Sequence, residues 1–237
     1  MFDDIGTFLR VLTPGIPVTV MATVGGIALT IVLALAAGLG MLSPSRTVRV
    51  ISRIYVEGLR GTSEVVQLFW IFFALPLLVG FQLVPIWAGI LVLGLNHGAY
   101  GAEIVRGAIQ SVPRAQYEGA MALSLSPTQR MRRVILPQAV VEMIPPFNTL
   151  FIQLLKSTAL LSFVAINEIT NLANQRLVSN FQQELPLVWL VVLVLYLLLA
   201  LVITTVMRLL ESAASARVGR KPSARARAAA KTTAGVV

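Results

Sequence analysis

The chain has 237 residues, a formal net charge of +9 and a mean hydropathy of +0.83, with 57% apolar and only 12% charged residues. A soluble domain has roughly a quarter charged residues, so this composition excludes a single soluble globular domain. The absence of cysteine excludes disulfides, thiolate metal sites and cysteine nucleophiles. The apolar residues fall into long runs, which is typical of transmembrane helices.

Five apolar segments predict an all-α integral membrane protein with five transmembrane helices. The first and last are the clearest, because each has an uncharged run longer than the ~20 residues that a bilayer requires. Pro145 and Pro146 interrupt the fourth, so we expect it to face a protein-lined interior where freed backbone groups can be satisfied. The spans are predicted at residues 17–42, 65–84, 85–105, 139–155 and 185–210.

The distribution of basic residues predicts the orientation. All of the 19 lysines and arginines except Arg10, Lys156 and Arg176 fall between spans one and two, between spans three and four, or at and beyond the C-terminal end of span five. Because an excess of positive charge marks cytoplasmic loops, residues 1–16 are predicted outside and residues 211–237 in the cytoplasm. This placement is that of a multi-pass membrane protein with its N-terminus outside and its C-terminus in the cytoplasm. The charge therefore reports topology, and we expect no nucleic-acid partner.

The C-terminal segment, residues 211–237, is rich in alanine, arginine and lysine and has no apolar face. This composition predicts a disordered tail that is attracted to the anionic headgroups of membrane lipid.

The connection between spans three and four, residues 113–137, is predicted to fold as a helix, a break and a second helix. Residues of small or apolar character recur at helical spacing in its first half, namely Tyr117, Ala120, Met121 and either Ser124 or Leu125. The run SPTQ then predicts a helix start, with Ser126 as the cap and Gln129 completing a capping box. Pro137 is predicted to end that helix or to form a hinge into span four.

A short amphipathic helix of this kind has two uses. It can lie in the lipid interface, or it can insert its stripe into a groove on a partner protein. The small residues Gly119, Ala120 and Ala122 favour close packing against protein.

The stretch EGAMALSLSPTQRMRRVILPQA resembles the EAA loop of ABC-importer membrane subunits, whose pattern is Glu-Ala-Ala, three residues, Gly, then nine residues and Ile-x-Leu-Pro. The flanking stretches resemble polar amino-acid uptake permeases of the histidine/glutamine type. They read YVEGLRGTSEVVQLF, AYGAEIVRGAIQSVPRAQYEGA and FIQLLKSTALLSFVAINEIT. The likeness extends from about Pro17 to Leu210.

The resemblance implies a type I ABC-importer fold in which this loop is a coupling helix for a dimer of cytoplasmic ATPase subunits. It also implies a second permease subunit, identical or homologous, and an extracytoplasmic solute-binding protein. ATP and magnesium would belong to the ATPase; this chain has no GxxxxGK[ST] phosphate loop, and we expect it to bind neither cofactor nor metal. The implied coupling residues are Glu118, Gly119, Ala120, Met121, Ser124, Leu125 and Ser126.

Three positions depart from the family pattern. Gly119 replaces the first alanine, and Ser124 replaces the loop glycine, where a positive φ would cost a non-glycine residue about 1 kcal/mol. The third departure is KSTAL, Lys156–Leu160, where family members usually have Lys-Asp-Thr-Ser-Leu. The missing carboxylate bears on the choice of substrate.

Strongly polar residues at membrane depth are rare and serve as functional hypotheses. With serine at position 157, a cationic substrate loses its obvious partner. We therefore expect a neutral or zwitterionic amino acid, or a compatible solute such as ectoine or hydroxyectoine. The candidates for the substrate pathway are Asn96, His97, Gln153, Lys156, Ser157 and Thr158.

Several of these residues also have a plain structural explanation. His97 can be a packing residue, Lys156 can lie at the outer interface, and Glu103 can form an ion pair with Arg106 three residues later.

Two other classes of function compete with a permease. An intramembrane hydrolase would need a nucleophile with a base, or a pair of aspartates. This chain offers little for either, since His97 is the sole histidine and no aspartate follows Asp4. A stand-alone channel would conduct without an ATPase.

Overall fold

The computed structural model describes residues 2–217, and it describes the side chains from Ile5 to Ala216. This part of the chain is helical and contains no strand, which confirms the all-α prediction. The α-helices are α1 (Phe2–Leu12), α2 (Gly15–Met41), α3 (Arg46–Arg60), α4 (Glu64–Phe69), α5 (Leu75–Val79), α6 (Pro85–Gln110), α7 (Arg114–Ala122), α8 (Pro127–Arg130), α9 (Leu136–Ser157), α10 (Ile169–Leu172) and α11 (Leu185–Arg217). Shorter π-helical turns lie at Trp70–Ala74, Met131–Ile135 and Ala173–Val178, and 3-10 turns at Thr158–Val164 and Gln182–Glu184.

Helices α2 and α6 form the centre of the bundle and run side by side in the same direction. Glycines permit the close approach of their backbones. A Cβ added at Gly38 would lie 2.7 Å from the Cβ of Val105, and one added at Gly101 would lie 2.7 Å from the Cβ of Ala34. Because lipid tails are as apolar as leucine, helices in a membrane associate through such small-residue packing. Helix α9 packs on α6, and α11 packs on α9.

Four apolar clusters hold the described part of the bundle together, and the smallest of them joins α2, α3 and α6. One joins the ends of α6, α9 and α11 next to the α7–α8 loop, and a second joins α2, α4, α6 and α9 at mid-height. The third lies at the opposite end, where Phe8 and Leu12 of α1 are fully buried against α10 and α11. Residues 2–12 of the predicted N-terminal segment are thus a packed helix.

A buried carboxylate stabilises the same end. Glu168 is fully buried, and it accepts hydrogen bonds from the backbone N–H groups of Thr170 (2.7 Å) and Asn171 (2.6 Å) and from the hydroxyl of Tyr196 (2.9 Å). Glu168 therefore caps α10 and ties it to α11.

Four of the predicted spans fall on helix to within one residue, but the second, 65–84, is broken into α4, a π-helical turn and α5, and its residues 80–84 are not helical. By length and hydropathy, the described residues contain three helices able to cross a membrane, Gly15–Met41, Pro127–Val164 and Gln182–Ala216. A fourth is possible if Arg46–Arg60 and Glu64–Val79, bent by 102°, form one broken span. The arginines predicted to lie in a connecting loop are instead on α3, which packs on α2 and α6.

The predicted interruption at Pro145 and Pro146 is wrong, as is the predicted end of a helix at Pro137. Pro137, Pro145 and Pro146 lie within one continuous helical stretch, Pro127–Val164. A π-helical turn precedes Pro137, and in it the N–H of Leu136 donates to the backbone oxygen of Met131 five residues back. This wider turn lets the helix continue although a proline, which has no N–H, removes one helical hydrogen bond. The predicted tail also begins too early, because α11 continues to Arg217; residues 218–237 of the predicted tail lie outside the described residues.

Candidate functional site

Helix α7 is held firmly against the bundle. The Tyr117 hydroxyl donates to the backbone oxygen of Ile109 on α6 (3.0 Å), and the Gln138 amide donates to the Gln116 side chain (3.1 Å). Ala120 is only 3% exposed and packs inward. The helix therefore presents a fixed outer surface.

The turn after α7 closes with a Schellman motif. Ser124 has a φ of 57°, its N–H donates to the Met121 oxygen (2.8 Å), and the Leu125 N–H donates to the Ala120 oxygen (3.1 Å). This left-handed conformation is the one for which the family pattern has glycine, and a serine adopts it here.

The next helix starts with the predicted capping box. The N–H of Gln129 donates to the Ser126 hydroxyl (3.3 Å), and the N–H of Ser126 donates to the Gln129 side chain (3.0 Å). Pro127 occupies the first helical turn, which requires no N–H. The capping box predicted for this segment is confirmed.

The outer surface of α7 and its turn carries unpaired apolar side chains. Met121 is 54% exposed and Leu123 is 75% exposed, while Glu118 and Gly119 are exposed beside them. We call these four residues the α7 patch. Of the predicted coupling residues, Ala120 faces the chain's own bundle, Leu125 is half-buried, and Ser124 and Ser126 are exposed in the turn. Leu123 was not predicted; its position after the last helical turn was the available signal.

The second candidate region is the break between α3 and α4, at residues 61–63. The break leaves backbone oxygens without helical partners, and amide side chains bind them. The Gln67 amide donates to the Leu59 oxygen (2.8 Å), and the Asn96 amide donates both to the same oxygen (3.2 Å) and to the Gln67 side chain (3.2 Å). Asn96 is buried, so it stabilises the break rather than lining an open surface.

A carboxylate lies beside this break. Glu64, the first residue of α4, accepts a hydrogen bond from the Ser157 hydroxyl on α9 (2.9 Å) and lies 3.4 Å from Nδ1 of His97 on α6. His97 is nearly fully buried, and its Nδ1 is 3.1 Å from the Leu93 oxygen. Glu64 was not among the predicted pathway residues. It directly follows the break in the chain, but no local pattern indicates that it meets Ser157.

The structure separates the predicted pathway residues into two groups. Gln153 and Lys156 are exposed on α9 and Ser157 is half-buried, whereas Thr158 is buried and its hydroxyl donates to the Leu155 oxygen (2.7 Å). Asn96 and His97 belong to the buried group. The exposed group therefore continues the surface of the break along α9.

An open concavity of about 520 Å³ extends from Gln153 towards α3. Arg60, Tyr100 and Glu103 line it; the Arg60 guanidinium lies 5.0 Å from the centre of the Tyr100 ring and 3.7 Å from Glu103. Glu103 also pairs with Arg106 at 2.6 Å, as predicted. The concavity thus has charged and aromatic walls within the helical bundle.

These features define an all-helical protein with several helices apolar enough to cross a membrane, a rigid capped loop and a polar break between α3 and α4. The family model of the binding-protein-dependent transport system inner membrane component matches residues 26–215, and the chain belongs to that family. It is therefore a non-catalytic, multi-pass subunit of the cytoplasmic membrane.

Curated relatives agree with this assignment. The chain is 45% identical over 210 residues to the probable amino-acid ABC transporter permease protein y4tF of Sinorhizobium fredii. The aligned region covers 86% of this chain and 87% of the relative. It is 33% identical over 204 residues to the glutamine transport system permease protein GlnP of Escherichia coli, with 86% and 92% covered. The L-cystine permease TcyB of Bacillus subtilis is 35% identical over 179 residues, with 76% of each chain covered.

Solved structures have the same fold. A crystal structure of an amino acid ABC transporter with histidines matches with a TM-score of 0.79 and 26% identity, over 90% of this chain and 98% of that chain. The MetNI methionine ABC transporter in an inward-facing conformation matches with a TM-score of 0.73 and 20% identity, over 88% and 98%, and at that identity it supports the fold alone. The fold is that of a type I ABC importer.

Proposed function

We propose that the chain is the permease subunit of an ATP-driven importer for a polar or zwitterionic amino acid. The names of its relatives support this class, since they include a glutamine permease, an L-cystine permease and a probable amino-acid permease. Those names give no support to ectoine or hydroxyectoine, to a stand-alone channel or to an intramembrane enzyme.

In this proposal the α7 patch docks into a dimer of cytoplasmic ATPase subunits, which bind ATP and magnesium. The observation that carries it is the exposure of Met121 and Leu123 on a helix that is rigidly capped and hydrogen-bonded to the bundle. Exposed apolar side chains outside a membrane span mark an interaction surface. Because α7 is rigidly attached, a displacement of α7 by the ATPase would move α6 and α9 as rigid bodies. Such a movement suits a transition between outward-facing and inward-facing states.

The solute path in this proposal follows the exposed side of the break. Gln153, Lys156 and the 520 Å³ concavity present polar groups at a depth where lipid would penalise them. A water-filled path shared with a second permease subunit, identical or homologous, avoids that penalty. An extracytoplasmic solute-binding protein would deliver the amino acid to the end near α1 and α10.

The orientation follows from the same assignment. If the α7 patch meets a cytoplasmic ATPase, the arginine-rich side of the protein is inside and residues 1–16 are outside. The excess of arginine around α7 and α8 supports this arrangement.

The test places a charge in the α7 patch. We expect Leu123→Asp combined with Met121→Asp to weaken binding of the ATPase by at least about a hundredfold, because two apolar side chains would be lost from an interface at roughly 1.5–3 kcal/mol each. Co-purification of the ATPase and ATP-driven uptake of radiolabelled L-amino acids into proteoliposomes measure the effect.

Thr128→Asp provides the matched control, because Thr128 is exposed on α8 in the same loop but outside the α7 patch. The control variant should bind ATPase and transport as the wild type does. Normal ATPase binding and uptake by the double variant would contradict the docking surface.

A further inference from the structure

We infer that Glu64 recognises an ammonium group of the transported solute, and this inference rests on the amino-acid transport proposed above. Glu64 lies on α4 at the break, and its side chain is 17% exposed. It is therefore neither buried in the core nor free in bulk water. A carboxylate in that position can meet a solute that moves along the exposed side of the break.

The hydrogen bonds of Glu64 leave part of its acceptor capacity unused. One oxygen, Oε2, accepts from the Ser157 hydroxyl at 2.9 Å. The other, Oε1, is buried and receives no hydrogen bond, although Nδ1 of His97 lies 3.4 Å away. The same Nδ1 is closer to the Leu93 oxygen, at 3.1 Å, so its proton has a nearer acceptor. Since Oε1 is buried towards His97, the exposed fraction of the side chain does not come from it. Oε2 holds one donor and has a second lone pair, so the carboxylate can accept a further N–H group on its Ser157 side.

Among residues 5–216, the only ion-pair contact of Glu64 is with His97. A carboxylate at membrane depth is costly without a cation, and such residues are retained where they pair or where a charged solute passes. An ammonium group supplies both a positive charge and N–H donors, which matches the unused acceptor. Lys156, exposed and next to Ser157 in the chain, offers the opposite charge for a solute carboxylate.

This arrangement changes the expectation drawn from Ser157 alone. Serine at that position suggested a site without a negative charge, and hence a solute without a cationic side chain. Glu64 brings a carboxylate from another helix to within 2.9 Å of the Ser157 hydroxyl. The negative charge is present, and the ammonium that it binds can come from the α-amino group of any amino acid or from a cationic side chain.

The experiment uses the whole importer, comprising the permease, its ATPase and its binding protein. ATP-driven uptake of each radiolabelled proteinogenic L-amino acid first identifies the transported ones. Equilibrium binding of those amino acids to the permease–ATPase complex in nanodiscs, without the binding protein, then gives the Kd of the membrane site alone. We expect Glu64→Gln to raise this Kd about tenfold or more, as for loss of one charge-assisted hydrogen bond.

Two further variants separate recognition from folding. Glu57→Gln removes an exposed carboxylate from the neighbouring helix α3 and should leave the Kd unchanged. Glu64→Gln combined with Ser157→Asp moves the carboxylate across the hydrogen bond, and it should restore most of the affinity that Glu64→Gln alone loses. A purely structural role for Glu64 gives no reason for such a rescue. Co-purification of the ATPase reports that each variant is assembled.

The outcomes are distinct. A rise in Kd for every transported amino acid assigns Glu64 to the α-ammonium group, and a rise confined to lysine and arginine assigns it to a cationic side chain; both support the inference. An unchanged Kd in Glu64→Gln, no rescue in the double variant, or no measurable binding to the wild-type complex overturns it. If the wild-type importer takes up no amino acid at all, the proposed function itself fails.

Discussion

The turn at Ser124 and the break at residues 61–63 both separate two helices, but they are stabilised by different means. In the turn, every bond joins residues a few positions apart, such as Ser126 with Gln129. The break has local bonds as well, such as that from the Gln67 amide to the Thr62 hydroxyl, but it adds bonds between distant segments: Asn96 and Gln67 are 29 residues apart, and Ser157 and Glu64 are 93 apart. The first is therefore a local structure, and the second is complete only when the bundle assembles.

The difference fits what each region would do. A coupling surface has to keep its shape while it transmits force, and local caps supply that rigidity wherever the helix moves. A solute path has to change its walls between two states. Contacts between separate helices can be exchanged when those helices move, so the break is the region where such a change costs least.

The largest effect is expected when the Gln67 amide, which binds backbone and side-chain oxygens at the break, is removed. Gln67→Leu leaves the Leu59 oxygen and the Asn96 amide short of partners, and we expect a loss of about 2–3 kcal/mol in the free energy of unfolding. Denaturant unfolding in detergent measures it. Gln175→Leu, at an exposed glutamine, should change stability by less than about 0.5 kcal/mol. Equal effects for the two variants would show that the break does not depend on its tertiary bonds.

The same division explains which features the sequence predicts. Span positions follow from apolar runs, and the capping box at Ser126 follows from four consecutive residues; both are local patterns. The contact between Glu64 and Ser157 has no local pattern, because it depends on how α4 and α9 are placed by α2 and α6.

The errors at proline have a related cause. Composition indicates that Pro137, Pro145 and Pro146 weaken a helix, and this local preference is real. The π-helical turn before Pro137 and the packing of Phe147 and Leu150 against α6 override it. A sequence pattern identifies the strain at a proline, while tertiary packing decides whether the helix ends there.

A smaller test addresses the turn. Ser126→Ala removes the hydroxyl that accepts from Gln129 and should cost about 1 kcal/mol. Because the cap is local, the loss should increase hydrogen exchange in residues 126–135 and leave the break unaffected. Exchange measured by mass spectrometry on the detergent-purified protein reports both regions at once. Faster exchange around residues 59–67 in this variant would mean that the two regions are coupled even without an ATPase.

The smallest effect concerns Ser124, where a serine holds a φ of 57°. Ser124→Gly relieves the left-handed strain of about 1 kcal/mol but adds flexibility to the unfolded chain, so we expect a net gain of roughly 0.5 kcal/mol. Ser124→Val places a β-branched side chain in the same conformation and should lose at least about 1 kcal/mol. Hydrogen exchange of the Leu125 N–H, which closes the Schellman motif, measures both changes in opposite directions. If glycine and valine shifted this exchange alike, the strain at position 124 would not limit the rigidity of the turn, and the rigidity would have to come from the capping box alone.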